Sequence, residues 1–194
     1  RLGVIRSRLG VIARDPREED TVVVVFSGPG IVKGDKALLL PMDGDPNDAE
    51  TVIPLEAVEQ ALAACRAPRK VLILDMCHSG ESNGIEPGLK RSLAEAAVPV
   101  LSSCGPEEQS WPDAAAGHSV FTGYLLAALR GAGDTDGDGQ VTDGEGWAHL
   151  EEARVGWRLR TGRKQTPQRG GKAGEAAVLA TGKGKAWAGG TGSG

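Results

Sequence analysis

Val71-Leu72-Ile73-Leu74-Asp75-Met76-Cys77-His78-Ser79-Gly80 is an apolar run that ends in a cysteine flanked by polar groups and a glycine. Four β-branched or leucine residues in a row read as a strand buried on both faces. Cys77 then stands at the carboxyl end of that strand, where a thiol is held on a rigid support. A second run of the same kind, Thr21-Val22-Val23-Val24-Val25-Phe26, leads into Ser27-Gly28-Pro29-Gly30. The Gly-Pro-Gly triplet predicts that this strand stops in a turn.

Working outward, strand and helix patterns alternate. Residues 1 to 14 carry the echo Arg1-Leu2-Gly3-Val4-Ile5 and Arg8-Leu9-Gly10-Val11-Ile12, which sets apolar groups on one helical stripe. Lys36 to Leu40 reads as a strand. Pro54 opens a helix whose Leu55, Val58, Leu62 and Cys65 share a face. Val98 to Leu101 reads as a strand, and Phe121, Tyr124, Leu125, Ala128 and Leu129 fall at helical spacing. Trp147, Leu150, Arg154 and Trp157 outline another helix, and a short strand follows at Ala176 to Ala180. Apolar strands alternating with helices predict an α/β domain, a mostly parallel sheet covered on both faces. In such sheets reactive groups collect at the carboxyl ends of strands, where both glycine-bearing motifs lie.

Composition narrows the function. With 194 residues, 22 Lys and Arg against 26 Asp and Glu, and a formal net charge of −4, the chain has no basic footprint for nucleic acid. No apolar run approaches the ~20 residues of a membrane helix. Cys65, Cys77 and Cys104 are too few and too scattered for a disulfide framework, which favours a reducing, cytoplasmic setting. Cys65 and Cys104 read as small apolar core residues. The expected organisation is one domain over residues 1–180 and a glycine-rich tail over 181–194, whose composition does not offset its ordering entropy.

The motifs together resemble the caspase-like cysteine peptidases, and most closely the metacaspase and bacterial caspase-homologue branch. There one strand ends in Ser-Gly-His-Gly and a later one in Asp-x-Cys-His-Ser-Gly. This chain has Ser27-Gly28-Pro29-Gly30 and Asp75-Met76-Cys77-His78-Ser79-Gly80, and Pro29 precedes Cys77 by 77 − 29 = 48 residues, near the ~50 expected for the upstream histidine of caspases. Leu38 to Asp43, Gly117 to Thr122 and Gln165-Thr166-Pro167 extend the likeness across roughly Asp20 to Ala180.

The resemblance implies that Cys77 attacks a peptide carbonyl while the N–H groups of Gly30 and Cys77 receive the oxyanion. It implies that Asp75 and Ser27 line the pocket for the residue before the scissile bond, with the Asp75 carboxylate selecting Arg or Lys. The partner is then a protein or peptide substrate. Pro29 occupies the histidine position and carries no titratable nitrogen, and losing a general base forfeits ~10²–10⁴ in rate. His78, His118 and His149 read as structural or surface residues rather than replacements. Two functions follow: an impaired endopeptidase, or a pseudo-peptidase that keeps its pocket for binding. An unrelated doubly wound hydrolase is disfavoured, since no Gly-x-Ser-x-Gly elbow or phosphate loop is present.

Asp134 to Glu145 matches an EF-hand loop, with oxygen ligands from Asp134, Asp136, Asp138, Gln140 and Thr142, Gly139 at the sixth position and Glu145 at the twelfth. Calcium is the expected ion, although a lone hand without a partner binds weakly. Caspase-like folds also begin with a strand that has no counterpart in this chain, so an N-terminally trimmed sheet with an open edge along Val22 to Phe26 is expected. Lys90-Arg91, after the nucleophile, is a candidate processing site.

Overall fold

The computed structural model describes residues 2–34, 36–78, 95–105 and 108–182, without the side chains of Val32, Cys77 and His78. Lys90-Arg91, Ser79-Gly80 and the tail from residue 183 lie outside the described residues.

A six-stranded sheet with order β3-β2-β1-β4-β5-β9 forms the centre. Its strands are β1 (Thr21–Lys33), β2 (Lys36–Leu39), β3 (Ile53–Pro54), β4 (Arg69–His78), β5 (Val100–Ser102) and β9 (Gln168–Gly170). The three middle strands β1, β4 and β5 are parallel, and antiparallel strands flank them on both sides. This is the mostly parallel α/β sheet that the strand and helix alternation predicts.

Alternation along β4 builds both cores at once. Leu72, Leu74 and Met76 join Leu55, Val58 and Leu62 of helix α2 (Leu55–Ala64), with Leu2, Ile5, Leu9 and Ile12 of helix α1 (Leu2–Arg14) packed against them. Val71 and Ile73 face the other way, onto Phe121 and Leu125 of helix α3 (Val120–Ala127) and Leu150 of helix α4 (Asp143–Thr161). Each helix carries the apolar stripe read from its spacing. Lys70 stops α2 by donating from Nζ to the carbonyls of Leu62 (2.8 Å) and Cys65 (2.6 Å), which gives the orphan carbonyls a cation.

Two departures matter. Strand β1 does not stop at Phe26; it runs through Ser27-Gly28-Pro29-Gly30 to Lys33 and turns back as a hairpin with β2. The Gly-Pro-Gly turn expected from sequence is therefore strand. Leu40 N donates to Pro29 O at 3.1 Å. Pro29's own nitrogen faces that same side, so its missing N–H removes no bond to β4.

The second departure concerns the acidic loop. Strand β8 (Gln140–Thr142), inside that loop, pairs antiparallel with β10 (Val178–Thr181) as a separate two-stranded sheet. The hand's loop strand thus has a neighbour, supplied by the chain's own later segment rather than by a second hand.

Along residues 21–29, β1 has only β4 beside it among the described residues, since β2 begins to pair at Gly30. Val23 and Val25 lie on its outer face, 41% and 59% exposed.

Candidate active site

The parallel register of β1 and β4 brings the two motifs side by side. Ser27 pairs with Asp75, Gly28 with Met76, Pro29 with Cys77 and Gly30 with His78. Paired backbones in a sheet lie about 4.8 Å apart, so position 29 is next to the Cys77 backbone. Because Pro29 O faces β2, the Gly30 N–H faces the β4 side, toward the strand that carries Cys77. Gly30 is buried, and a Cβ there would sit 3.1 Å from Met76 Sδ, a tight contact on the face where Met76 packs.

Asp75 is the best-defined side chain of the site. It is 5% exposed. Oδ1 accepts a hydrogen bond from Ser110 Oγ at 2.8 Å, and Oδ2 accepts from Ser119 Oγ and Thr122 Oγ1. Ser119 is also the N-cap of α3, where its Oγ accepts from Thr122 N at 2.9 Å. One hydroxyl thus fixes the start of the helix and the carboxylate together. No cation touches Asp75 among the described residues, so three neutral hydroxyls hold a buried acid.

A brace stands behind this cage. Gln165, 6% exposed, donates from Nε2 to Ser103 O (3.0 Å) and Ser110 Oγ (3.4 Å), and its Oε1 accepts from Trp111 N at 3.0 Å. Glu108 fixes the neighbouring segment by accepting from Thr166 N and Oγ1 and pairing with Lys164 Nζ at 2.9 Å. Burial pushes the Glu108 carboxyl up, but the hydrogen bonds from Lys164 and Thr166 outweigh it and hold the group below its ordinary value. The Gln165-Thr166-Pro167 motif is therefore a buttress for Ser110 and, through it, for Asp75.

The predicted residues divide accordingly. Cys77, Pro29, Gly30, Asp75 and Ser27 converge at the upper end of β1 and β4. Ser27 is the register partner of Asp75 but is exposed and makes no hydrogen bond to it among the described residues. Ser110, Ser119, Thr122 and Gln165 were not assigned to the pocket from sequence. Gly117 to Thr122 and Gln165-Thr166-Pro167 stood out as motifs, which marks three of the four, while nothing in the sequence marks Ser110.

Away from this cleft, the carboxylates of Asp134, Asp136 and Asp138 lie within 4.8 Å of one another. Glu145 does not join them: its Oε1 accepts from Thr135 N (3.1 Å) and its Oε2 from Thr142 N (2.9 Å). Thr142 and Glu145 form a capping box at the start of α4. These hydrogen bonds, from Thr142 first and then Thr135, lower the Glu145 carboxyl to about 2. The Gln140 side chain donates from Nε2 to Asp138 Oδ2 at 3.0 Å.

A parallel sheet with helices on both faces, a cysteine at the end of one central strand and a caged acid two residues before it define a caspase-type site. The chain matches the family model of the caspase domain over residues 4–168 and belongs to that family of cysteine peptidases. No curated protein matches it.

Proposed function

We propose that this domain is a cysteine endopeptidase of the metacaspase-like branch that cleaves after Arg or Lys, impaired by Pro29. The observation that carries the reading is the Asp75 carboxylate, buried and caged by hydroxyls with no counter-charge beside it among the described residues. A buried negative charge is costly unless paired. A substrate guanidinium or ammonium supplies the missing charge, whereas an acidic residue before the scissile bond would repel it. Cys77 is the nucleophile in this reading, and the N–H groups of Gly30 and Cys77 stabilise the oxyanion.

Without an imidazole at position 29, the thiolate must form unaided. A free thiol titrates near ~8.5, so a few per cent is ionised at neutral pH. Turnover is then slow and binding persists, which is also what a regulatory pseudo-peptidase would use. Cleavage of Arg-, Lys- and Asp-ended fluorogenic peptides separates the two. Slow cleavage confined to the basic substrates and lost in Cys77→Ala supports the peptidase. Saturable binding of an Arg-ended peptide aldehyde, without turnover even in Pro29→His, favours the binding module.

The convergence of Asp134, Asp136 and Asp138 supports calcium at the loop. Those carboxylates and the Gln140 carbonyl would hold the ion, with Glu145 turning away from Thr135 to join them. Isothermal titration with calcium tests this, with Asp134→Asn/Asp138→Asn expected to weaken binding by at least about tenfold.

A further inference from the structure

A trough of about 500 Å³ is lined by α3, α4 and the residues that lead into α3. Ala127 of α3 and Ala153 of α4 line it with small side chains, the His118 ring covers Gly123 near the α3 start, and Tyr124, Leu126 and Trp157 add apolar wall. Its size falls in the range of small-molecule sites. The polar groups are unevenly placed. Arg130 lies on the π-helical segment Ala128–Ala132 that follows α3 and packs against α4, and His149 lines the trough from α4. Neither has a hydrogen-bond or ion-pair partner among the described residues. Asp113 lines the trough from the β6–β7 hairpin (Pro112–Asp113 and His118–Ser119), which precedes the start of α3.

We infer that the trough binds a linear apolar monocarboxylate, its head group at Arg130 and His149 and its chain lying along Ala127 and Ala153 toward Tyr124 and Trp157. A straight apolar body suits a floor of small residues shared by two helices. Arg130 on the π segment attracts the carboxylate, and a ring N–H of His149 on α4 can donate to it, while Asp113 near the α3 start repels a second acid and so fixes the direction. The site touches the catalytic machinery from behind. His118, Val120 and Gly123 face the trough, and Ser119 and Thr122 of the same turn hold Asp75. Occupancy is therefore positioned to alter the cage without entering the cleft.

Isothermal titration of the intact chain with dodecanoate, kept below its micelle concentration, tests the proposal. One saturable site is expected, weakened about tenfold in Arg130→Ala/His149→Ala and lost in Ala127→Leu, which fills the trough. Dodecyltrimethylammonium, with the same chain and the opposite charge, is expected not to bind. Urea unfolding of each variant shows that the fold is kept; should Ala127→Leu lose stability, Ala153→Leu replaces it. Absence of saturable binding overturns the inference, as do unchanged affinity in the double variant and equal binding of the cationic chain. Binding of an acidic, leucine-rich hexapeptide in place of dodecanoate would assign the trough to a protein partner and equally overturn it. None of these readouts depends on turnover at Cys77.

Discussion

Pro29 and Cys77 are register partners in the parallel pairing of β1 and β4. A side chain at position 29 therefore begins one strand spacing, about 4.8 Å, from the backbone of Cys77. Pro29→His is expected to raise kcat/KM on an Arg-ended fluorogenic peptide by ~10² or more, as general-base catalysis is restored. The gain must vanish when Cys77→Ala is added. The strand tolerates the change, because a histidine N–H at this position faces β2 and Leu40 rather than disturbing the β4 ladder.

The Asp75 cage couples specificity to stability. If the proposed function holds, Asp75→Asn removes the charge proposed to select a basic residue, so cleavage after Arg and Lys is expected to fall by two orders of magnitude or more, about 2.7 kcal/mol or more at the transition state. Thr122→Val leaves the carboxylate with the Ser110 and Ser119 hydroxyls only. The loss of a hydrogen bond to a buried charge is expected to destabilise the fold by about 1.5–3 kcal/mol, read from the urea midpoint. A variant with an unchanged midpoint would mean that the hydroxyls do not hold the acid.

Glu145 makes a pH signature. Its carboxyl is lowered to about 2 by donors present only in the folded chain. A carboxyl depressed on folding adds stability above its unfolded value, near ~4.3, and loses that contribution as pH falls toward the folded value. Denaturation midpoints measured from pH 5 down to pH 2 are expected to decline more steeply in the wild type than in Glu145→Gln. Parallel declines would show that the capping box and the Thr135 bond contribute nothing measurable.

Gly171 follows β9 with φ +79°, and a Cβ there would stand 1.9 Å from the carbonyl oxygen of Val98. No side-chain adjustment relieves a clash with backbone. Gly171→Ala is expected to cost about 3 kcal/mol or more, by parting β9 from the segment that enters β5. Thermal unfolding checks this, and a shift of only a degree or two would contradict the close approach.

Much of this architecture is legible in local pattern. Thr21 to Phe26 and Val71 to Leu74 are uninterrupted β-branched and apolar runs that read as strands buried on both faces; Val71 to Leu74 is so buried, whereas Thr21 to Phe26 alternates and leaves Val23 and Val25 exposed because β4 alone pairs with it there among the described residues. The helix of Phe121 and Leu125 and that of Leu150 and Trp157 follow from 3.6-residue spacing and become the two sides of one core. The extension of β1 through Pro29 is illegible, because Gly-Pro-Gly read locally is a turn. It becomes strand only because β4 supplies hydrogen bonds along one edge while the proline nitrogen falls on the other.

The site divides in the same way. Sequence alone nominated the residues proposed to carry chemistry, since Asp75 and Cys77 sit in one short motif at the end of a strand and position 29 lies at the matching point of another. Tertiary structure decided how Asp75 is held. Ser110, Ser119 and Thr122 are 35, 44 and 47 residues away in the chain and share no spacing with it. Hydroxyls so far from Asp75 in the chain converge on its carboxylate only when α3 docks on β4, and it is that docking, driven by burial of Phe121 and Leu125 against Val71 and Ile73, that places a caged acid two residues before Cys77.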